Sequence, residues 1–307
     1  MNGMPDLSVQ IGKLSLKNPV MPASGTFGYA IEYAPFIDLN SLGAIIVKCI
    51  TPKPRIGSYP HRLAEAPSGS VCTIGLQNVG VDRFIAEKMP YLRQLAPPLI
   101  INIGATTAEE FAQLASRLTH VEGIDALEVN ISCPNVKKGG IQFGVDPDAT
   151  YQVIRAIRQE TDLTLITKLT PNVTDITLLA KAAISAGTDA LSLINGPLAM
   201  AIDTETRRSK LGRNITGGLT GPAIKPIAVR MVWQVVQVVN VPVIGVGGIT
   251  CAEDALEFMI AGASAVQIGT FNFVDPTILL KTIEGIKAYM IRHKIRGLKD
   301  LIKSFEV

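Results

Sequence analysis

The sequence predicts an α/β fold, a (β/α)8 barrel of the TIM type with insertions at its C-terminal face. Short runs rich in Val, Ile and Leu alternate with longer amphipathic stretches, which implies a parallel sheet covered by helices. Eight such runs spread over 307 residues, more than an open sheet usually holds. The residues at which the runs end are polar or glycine, and in a barrel those ends converge on one face. Barrels of this length often form one domain, so residues 1–307 are read as a single unit.

The strands are expected near NPVMPAS (18–24), GAIIVK (43–48), LIINIG (99–104), DALEVNI (125–131), LTLITKL (163–169), DALSLIN (189–195), VPVIGVG (241–247) and SAVQIG (264–269). Helices are expected over residues 107–118, 148–159, 175–186, 225–239 and 252–262. The first of these opens on TAEE, a capping-box start with Thr107 as cap and Glu110 three residues on. Two stretches, the Pro-rich TPKPRIGSYPHRLAEAP (51–67) and residues 196–224, are too long for simple connections. Long insertions in a barrel are often functional.

Composition narrows the function. Apolar residues make up 47% of the chain and charged residues 18%, enough for a large core. The net charge is only +3, with no Lys/Arg block and no interleaved aromatics, which argues against nucleic acid. No apolar run approaches the ~18 residues of a membrane span. The start, MNGMPDLSVQIGKL, shows no signal-peptide pattern. Cys49, Cys72, Cys133 and Cys251 are widely spaced without CxxC pairs, so no metal site or disulfide framework is read, and a cytoplasmic setting is expected.

The strand ends carry Ser24, Lys48, Asn102, Asn130, Lys168, Asn195, Gly247, Gly248, Gly269 and Thr270. Any single one of these is an ordinary strand terminus, but their convergence marks a site. Glycines in GVGGIT and QIGT, each before a helical stretch, let backbone N–H groups approach a phosphate. Lys168 in ITKLT reads as a Schiff-base lysine, as a cation beside a flavin ring, or as a lysine reaching past the rim; Lys48 has the same choices. In DALEVNISCPN, Cys133 follows the strand end with amides on both sides. A thiolate there is able to take a proton from a carbon next to a carbonyl if another group accepts the hydride. His61, His120 and His293 have no motif around them, so no Cys–His pair is read.

Together NISCPNVKKGG, KLTPNV, TGGLTGPAIKP, GVGGI and PASGTFGY resemble the class 1 dihydroorotate dehydrogenases, FMN-containing barrel enzymes of pyrimidine synthesis. CPNVKKGGIQFG and GTFGYAIEYAPFIDL are similar to the type B branch, which works with a partner subunit carrying FAD and an iron–sulfur cluster. The membrane-bound class 2 enzymes have Ser where this chain has Cys133, and an N-terminal extension not read here. The resemblance implies that Cys133 removes a proton from C5 of the dihydropyrimidine while flavin N5 takes the hydride from C6. It places Ser24, Lys48, Asn102, Asn130, Lys168, Gly221, Gly247, Gly248, Gly269 and Thr270 at FMN. It places Lys48, Asn78, Asn130, Asn135 and Asn195 at orotate, and implies a homodimeric core.

Two positions depart from the family pattern. The family usually has Asn where SVCTIGLQN places Cys72, and Thr or Ser where INGP places Gly196. Each lost hydrogen bond costs roughly 1–3 kcal/mol if its partner is left unsatisfied. The alternative expectation is therefore an FMN oxidoreductase acting on another dihydropyrimidine or a related cyclic imide. KLTPNVTDI is also similar to the FMN domain of dihydropyrimidine dehydrogenases. Further alternatives are a flavin-free lyase using Lys168 and a non-catalytic barrel.

Overall fold

A computed structural model of the chain describes residues 4–131 and 140–306. Eight parallel strands form one sheet: β1 Val20–Pro22, β2 Ile45–Ile50, β3 Leu99–Ile103, β4 Ala126–Asn130, β5 Thr164–Leu169, β6 Ala190–Leu193, β7 Val243–Val246 and β8 Ala265–Ile268. Their order around the sheet is β1-β8-β7-β6-β5-β4-β3-β2. The Gly43 N–H donates to the Val20 carbonyl at 3.0 Å, tying the approach to β2 onto β1 and bringing the two sheet ends together. All eight expected strands are present, and the (β/α)8 architecture is the one read from the sequence.

The helices α1 Ala108–Thr119, α2 Pro147–Glu160, α3 Ile176–Ser185, α4 Lys225–Val236, α5 Ala252–Ala261 and α6 Ile278–Arg292 follow β3 to β8 in turn. Thr107 caps α1 as expected, its Oγ1 accepting from Glu110 N at 3.1 Å. The Glu110 carboxylate reaches one residue beyond the usual box and accepts from Thr106 N at 2.9 Å. Asp146 and Asp175 cap α2 and α3 in the same way, so three helices start on the short polar side chain their sequences offer.

A strand faces alternate sides residue by residue, so inward-pointing residues recur every second position. The lower interior is apolar: Met21, Ala44, Ile46, Ile100, Ala126, Ile166, Ala190, Ile244 and Ala265 pack together. An antiparallel hairpin, Val9–Ile11 with Leu14–Leu16, adds Ile11, Leu14 and Leu16 to this cluster. The hairpin lies at the N-terminal end of the barrel, where Lys13 N donates to Oγ1 of Thr164, the first residue of β5, at 3.0 Å. Its turn needs Gly12, at φ +56, because a Cβ there would stand 2.7 Å from Thr164 Cγ2.

The two long excursions meet. Leu63–Ala66 from the first and Gly69–Cys72 just beyond it join Gly217–Thr220 and Leu198–Ala199 from the second in one four-stranded antiparallel sheet. The excursions expected as insertions are thus one structure built from sequence segments about 150 residues apart.

Candidate active site

The phase of the apolar layer, carried two residues further along six of the eight strands, changes chemistry. Ile46 is followed by Lys48, Ile100 by Asn102, Ala126 by Glu128, Ile166 by Lys168, Ala190 by Ser192 and Ala265 by Gln267. A polar layer thus lies directly above the apolar one, toward the C-terminal ends of the strands. Asn102, Glu128, Ser192 and Gln267 are fully buried and Lys168 nearly so.

These groups are joined. Glu128 Oε2 accepts from Asn102 Nδ2 at 2.6 Å, while Oε1 accepts from Gln267 Nε2 at 2.6 Å and Ser192 Oγ at 2.9 Å. The Lys168 ammonium lies 3.8 Å from Glu128 Oε2 and donates to Gln267 Oε1 at 3.5 Å. A buried ion pair is weak evidence of stabilisation, since desolvation of the charges offsets their attraction. A layer of this kind points to function rather than to folding. Asn102 Oδ1 is buried without a hydrogen-bond partner among the described residues, and such acceptors are rare unless a ligand satisfies them.

One step further toward the rim, Asn195 Nδ2 donates to Asn130 Oδ1 at 3.0 Å. Asn130 stands in register with Lys168 across the β4–β5 ladder, so the two expected amides and the lysine are neighbours. Lys48 is half-buried, and burial pulls its ammonium below the usual lysine range. Glu32 opposes that shift and Arg62 adds to it. Its backbone N–H donates to the Gly28 carbonyl at 2.8 Å, which anchors the PASGTFGY loop beside β2. Cys133 and Asn135 lie outside the described residues.

The glycines converge on a second corner. Gly247 and Gly248 follow β7 with φ of +127 and +78. A Cβ at Gly248 would stand 2.8 Å from Lys225 N and 3.0 Å from Gly221 O, so Gly221 and Gly248 are in close approach. Thr250 N and Oγ1 both donate to Asp254 Oδ2, at 2.8 and 2.7 Å, and Asp254 Oδ1 accepts from the Lys225 ammonium at 2.7 Å. That clamp holds the glycine turn against the start of α5, whose positive end favours an anion. Buried Ser24 lies beside Gly269, whose neighbour Ile268 accepts from Ala23 N at 2.8 Å, and Thr270 opens the turn that follows.

Asn78 is placed differently from the other amides. Its Oδ1 accepts from Gly80 N at 2.7 Å and Thr51 N at 3.3 Å, and its Nδ2 donates to Thr51 Oγ1 and Leu76 O at 2.7 and 2.8 Å. All four hydrogen-bonding positions of the amide are engaged by the loop itself. Cys72 and Gly196 flank one residue: Cys72 is the register partner of Gly218, and a Cβ at Gly196 would stand 3.1 Å from Gly218 Cα. Burial raises the Cys72 thiol above the usual range, so it stays neutral and offers only a weak donor.

Glu128, Ser192 and Gln267 are the functional candidates that sequence reading missed. The signal was available: each is a polar residue inside an apolar run, in the same strand phase as Asn102 or Lys168.

The family model described as "Dihydroorotate dehydrogenase" matches residues 6–290. A relative from Geotalea uraniireducens, "Dihydroorotate dehydrogenase B (NAD(+)), catalytic subunit", is 53% identical over 98% of this chain and 98% of its own. Proteins of the same description from Thermoanaerobacter sp. and Geobacter sulfurreducens are each 51% identical, covering 98% and 99% of this chain and 99% of their own length. A solved structure titled "Crystal structure of DHODH in complex with ferulenol from Eimeria tenella" superposes with a TM-score of 0.80. It covers 97% of this chain and 88% of that one at 23% identity, a likeness of fold. The chain belongs to the dihydroorotate dehydrogenase family, on the branch of the type B catalytic subunits.

Proposed function

We propose that the chain oxidises dihydroorotate to orotate in pyrimidine biosynthesis, with FMN as its cofactor. The observation that carries this reading is the polar layer at the C-terminal ends of the strands, in a chain that the family model matches over residues 6–290. The residues fit FMN: Asn102 Oδ1 offers an unfilled acceptor to a ring N–H, Lys168 offers a cation, and the Gly247–Gly248 turn, packed against Gly221, stands just before the start of α5, whose positive end favours a phosphate. Bound there, FMN supplies the two-electron acceptor for the hydride leaving C6 of the substrate.

The chain's own residues do the rest. Cys133 takes the proton from C5, as its position after β4 in the family motif implies. The Asn130–Asn195 pair presents amide edges to the pyrimidine ring, with Asn135 assigned beside them, and Lys48 offers its ammonium to the substrate carboxylate. Ser24, Gly269 and Thr270 close the cofactor's side of the rim. Asn78 acts by fixing the loop between Thr51 and Gly80 against the mouth, since its own amide is engaged.

The relatives are described as catalytic subunits, and an electron-accepting subunit bearing FAD and an iron–sulfur cluster is the partner assigned to this chain, on a homodimeric core in the cytoplasm. No described helix is long and apolar enough to cross a membrane.

Anaerobic titration with dihydroorotate, followed by flavin absorbance, tests the reading. Stoichiometric bleaching is expected, and a Cys133→Ala chain that stays yellow but does not turn over. A colourless protein would sink it. The meeting of Cys72 and Gly196 at Gly218 favours one second reading, a related dihydropyrimidine or cyclic imide as substrate. A yellow chain bleached by such a compound and not by dihydroorotate would establish that instead.

A further inference from the structure

Glu128 is the hub of the polar layer. Its two oxygens accept three hydrogen bonds, from Asn102, Ser192 and Gln267, and the Lys168 ammonium lies 3.8 Å away. Every one of these neighbours faces the carboxylate with a donor, so both of its oxygens serve as acceptors.

An anion in that position orients its neighbours. Gln267 turns Nε2 toward Glu128, which leaves Oε1 facing Lys168 at 3.5 Å. Asn102 turns Nδ2 toward Glu128, which leaves Oδ1 as a buried acceptor with no hydrogen-bond partner among the described residues. With an uncharged group at residue 128, the reversed Asn102 amide would no longer meet repulsion. The carboxylate also acts on charge. Lys168 favours negative charge on anything bound above it, and the Glu128 anion subtracts from that field at short range and low dielectric.

We propose that Glu128 is a positioning residue for the flavin: its carboxylate fixes Asn102 Oδ1 as the acceptor offered to the ring and offsets Lys168, lowering the reduction potential of the bound cofactor. This rests on the FMN reading above. It concerns a residue beneath the binding groups rather than one of them.

The test is the midpoint potential of bound FMN, measured by dye-coupled reduction of the reconstituted protein without substrate, in wild type, Glu128→Gln and Glu128→Asp. For Glu128→Gln the expected result is at least a tenfold higher ratio of reduced to oxidised flavin at the wild-type midpoint. That corresponds to a shift of about +30 mV for a two-electron couple. Glu128→Asp keeps the charge but draws it back by one methylene, and is expected to shift in the same direction by a smaller step of about threefold. An unchanged or more negative potential in Glu128→Gln overturns the inference. If that variant does not fold or hold flavin, an unshifted Glu128→Asp overturns it. A wild-type chain that takes up no FMN overturns the cofactor reading and this inference with it. A yellow wild type with unshifted variants overturns this inference alone.

Discussion

Gly196 lies against the backbone of Leu219, so closely that a Cβ added to it would stand 2.7 Å from the Leu219 carbonyl oxygen. The contact joins the loop after β6 to the strand Gly217–Thr220, whose other neighbour carries Cys72. Restoring a family-like Thr at this position alone therefore does not restore a polar contact. Gly196→Thr is expected to push the 217–220 strand away and destabilise the protein by about 1–3 kcal/mol, the usual cost of overpacking. Thermal unfolding of the variant against wild type checks this.

Lys48 sets a pH dependence whose sign follows from its burial. The folded chain holds this proton less tightly than the unfolded one, because desolvation disfavours the ammonium. Between the lowered folded value and the ordinary lysine value near 10.5, the unfolded state binds more protons, so stability contributed by this group rises with pH across that window. Below the window both states are protonated and the full cost of burying the charge remains. Lys48→Met is expected to be at least as stable as wild type at pH 7 and inactive with dihydroorotate. Paired denaturant melts and turnover assays test the combination.

The Lys225–Asp254–Thr250 clamp predicts a cofactor phenotype from residues assigned no contact with the cofactor. The hydrogen bonds that the Lys225 ammonium donates to Asp254 and Glu257 hold it well above its usual range. Its stabilising contribution is thus complete below about pH 10 and is lost only as pH rises through the raised value. Lys225→Met is expected to cost about 1–3 kcal/mol, between the exposed and buried limits for ion pairs. It is also expected to loosen the glycine turn and weaken FMN binding about tenfold. Fluorescence of released flavin measures the second effect directly.

Asn78→Ala removes an amide whose four hydrogen bonds hold the Thr51–Gly80 loop. The Thr51 and Gly80 N–H groups lose their acceptor, and a loss of about 2–4 kcal/mol follows from two buried donors left unsatisfied. Limited proteolysis is expected to cut within residues 51–80 faster in the variant while α1 to α6 stay intact. If instead only the KM for dihydroorotate rises, with stability and cleavage unchanged, Asn78 contacts substrate.

The barrel was legible because parallel strands are buried on both faces and leave near-continuous apolar runs, as in IIVKCI and LIINI. The sealing hairpin was not, because strands of three residues are too short to show a period. The four-stranded sheet over the mouth was hidden for another reason. Pairing of Val71 with Leu219 is a long-range event with no local signature. Within the site, residues at the strand ends were readable, whereas Glu128 lay two positions earlier, masked by its apolar neighbours Leu127 and Val129. Asn78 was found by motif, but the direction of its amide depends on where Thr51 and Gly80 fold around it.

The hairpin at the N-terminal end has a further consequence. Ile11, Leu14 and Leu16 stop the floor of the barrel with hydrocarbon, and the layer of Ile46, Ile100, Ile166 and Ile244 thickens that stopper. The barrel is a blind vessel, not a tube. Any molecule that diffuses to Lys168 enters from the end where the strands finish, and whatever is made there departs by the same doorway. Arrival and departure must take turns, so occupancy of that doorway by spent product delays the next cycle.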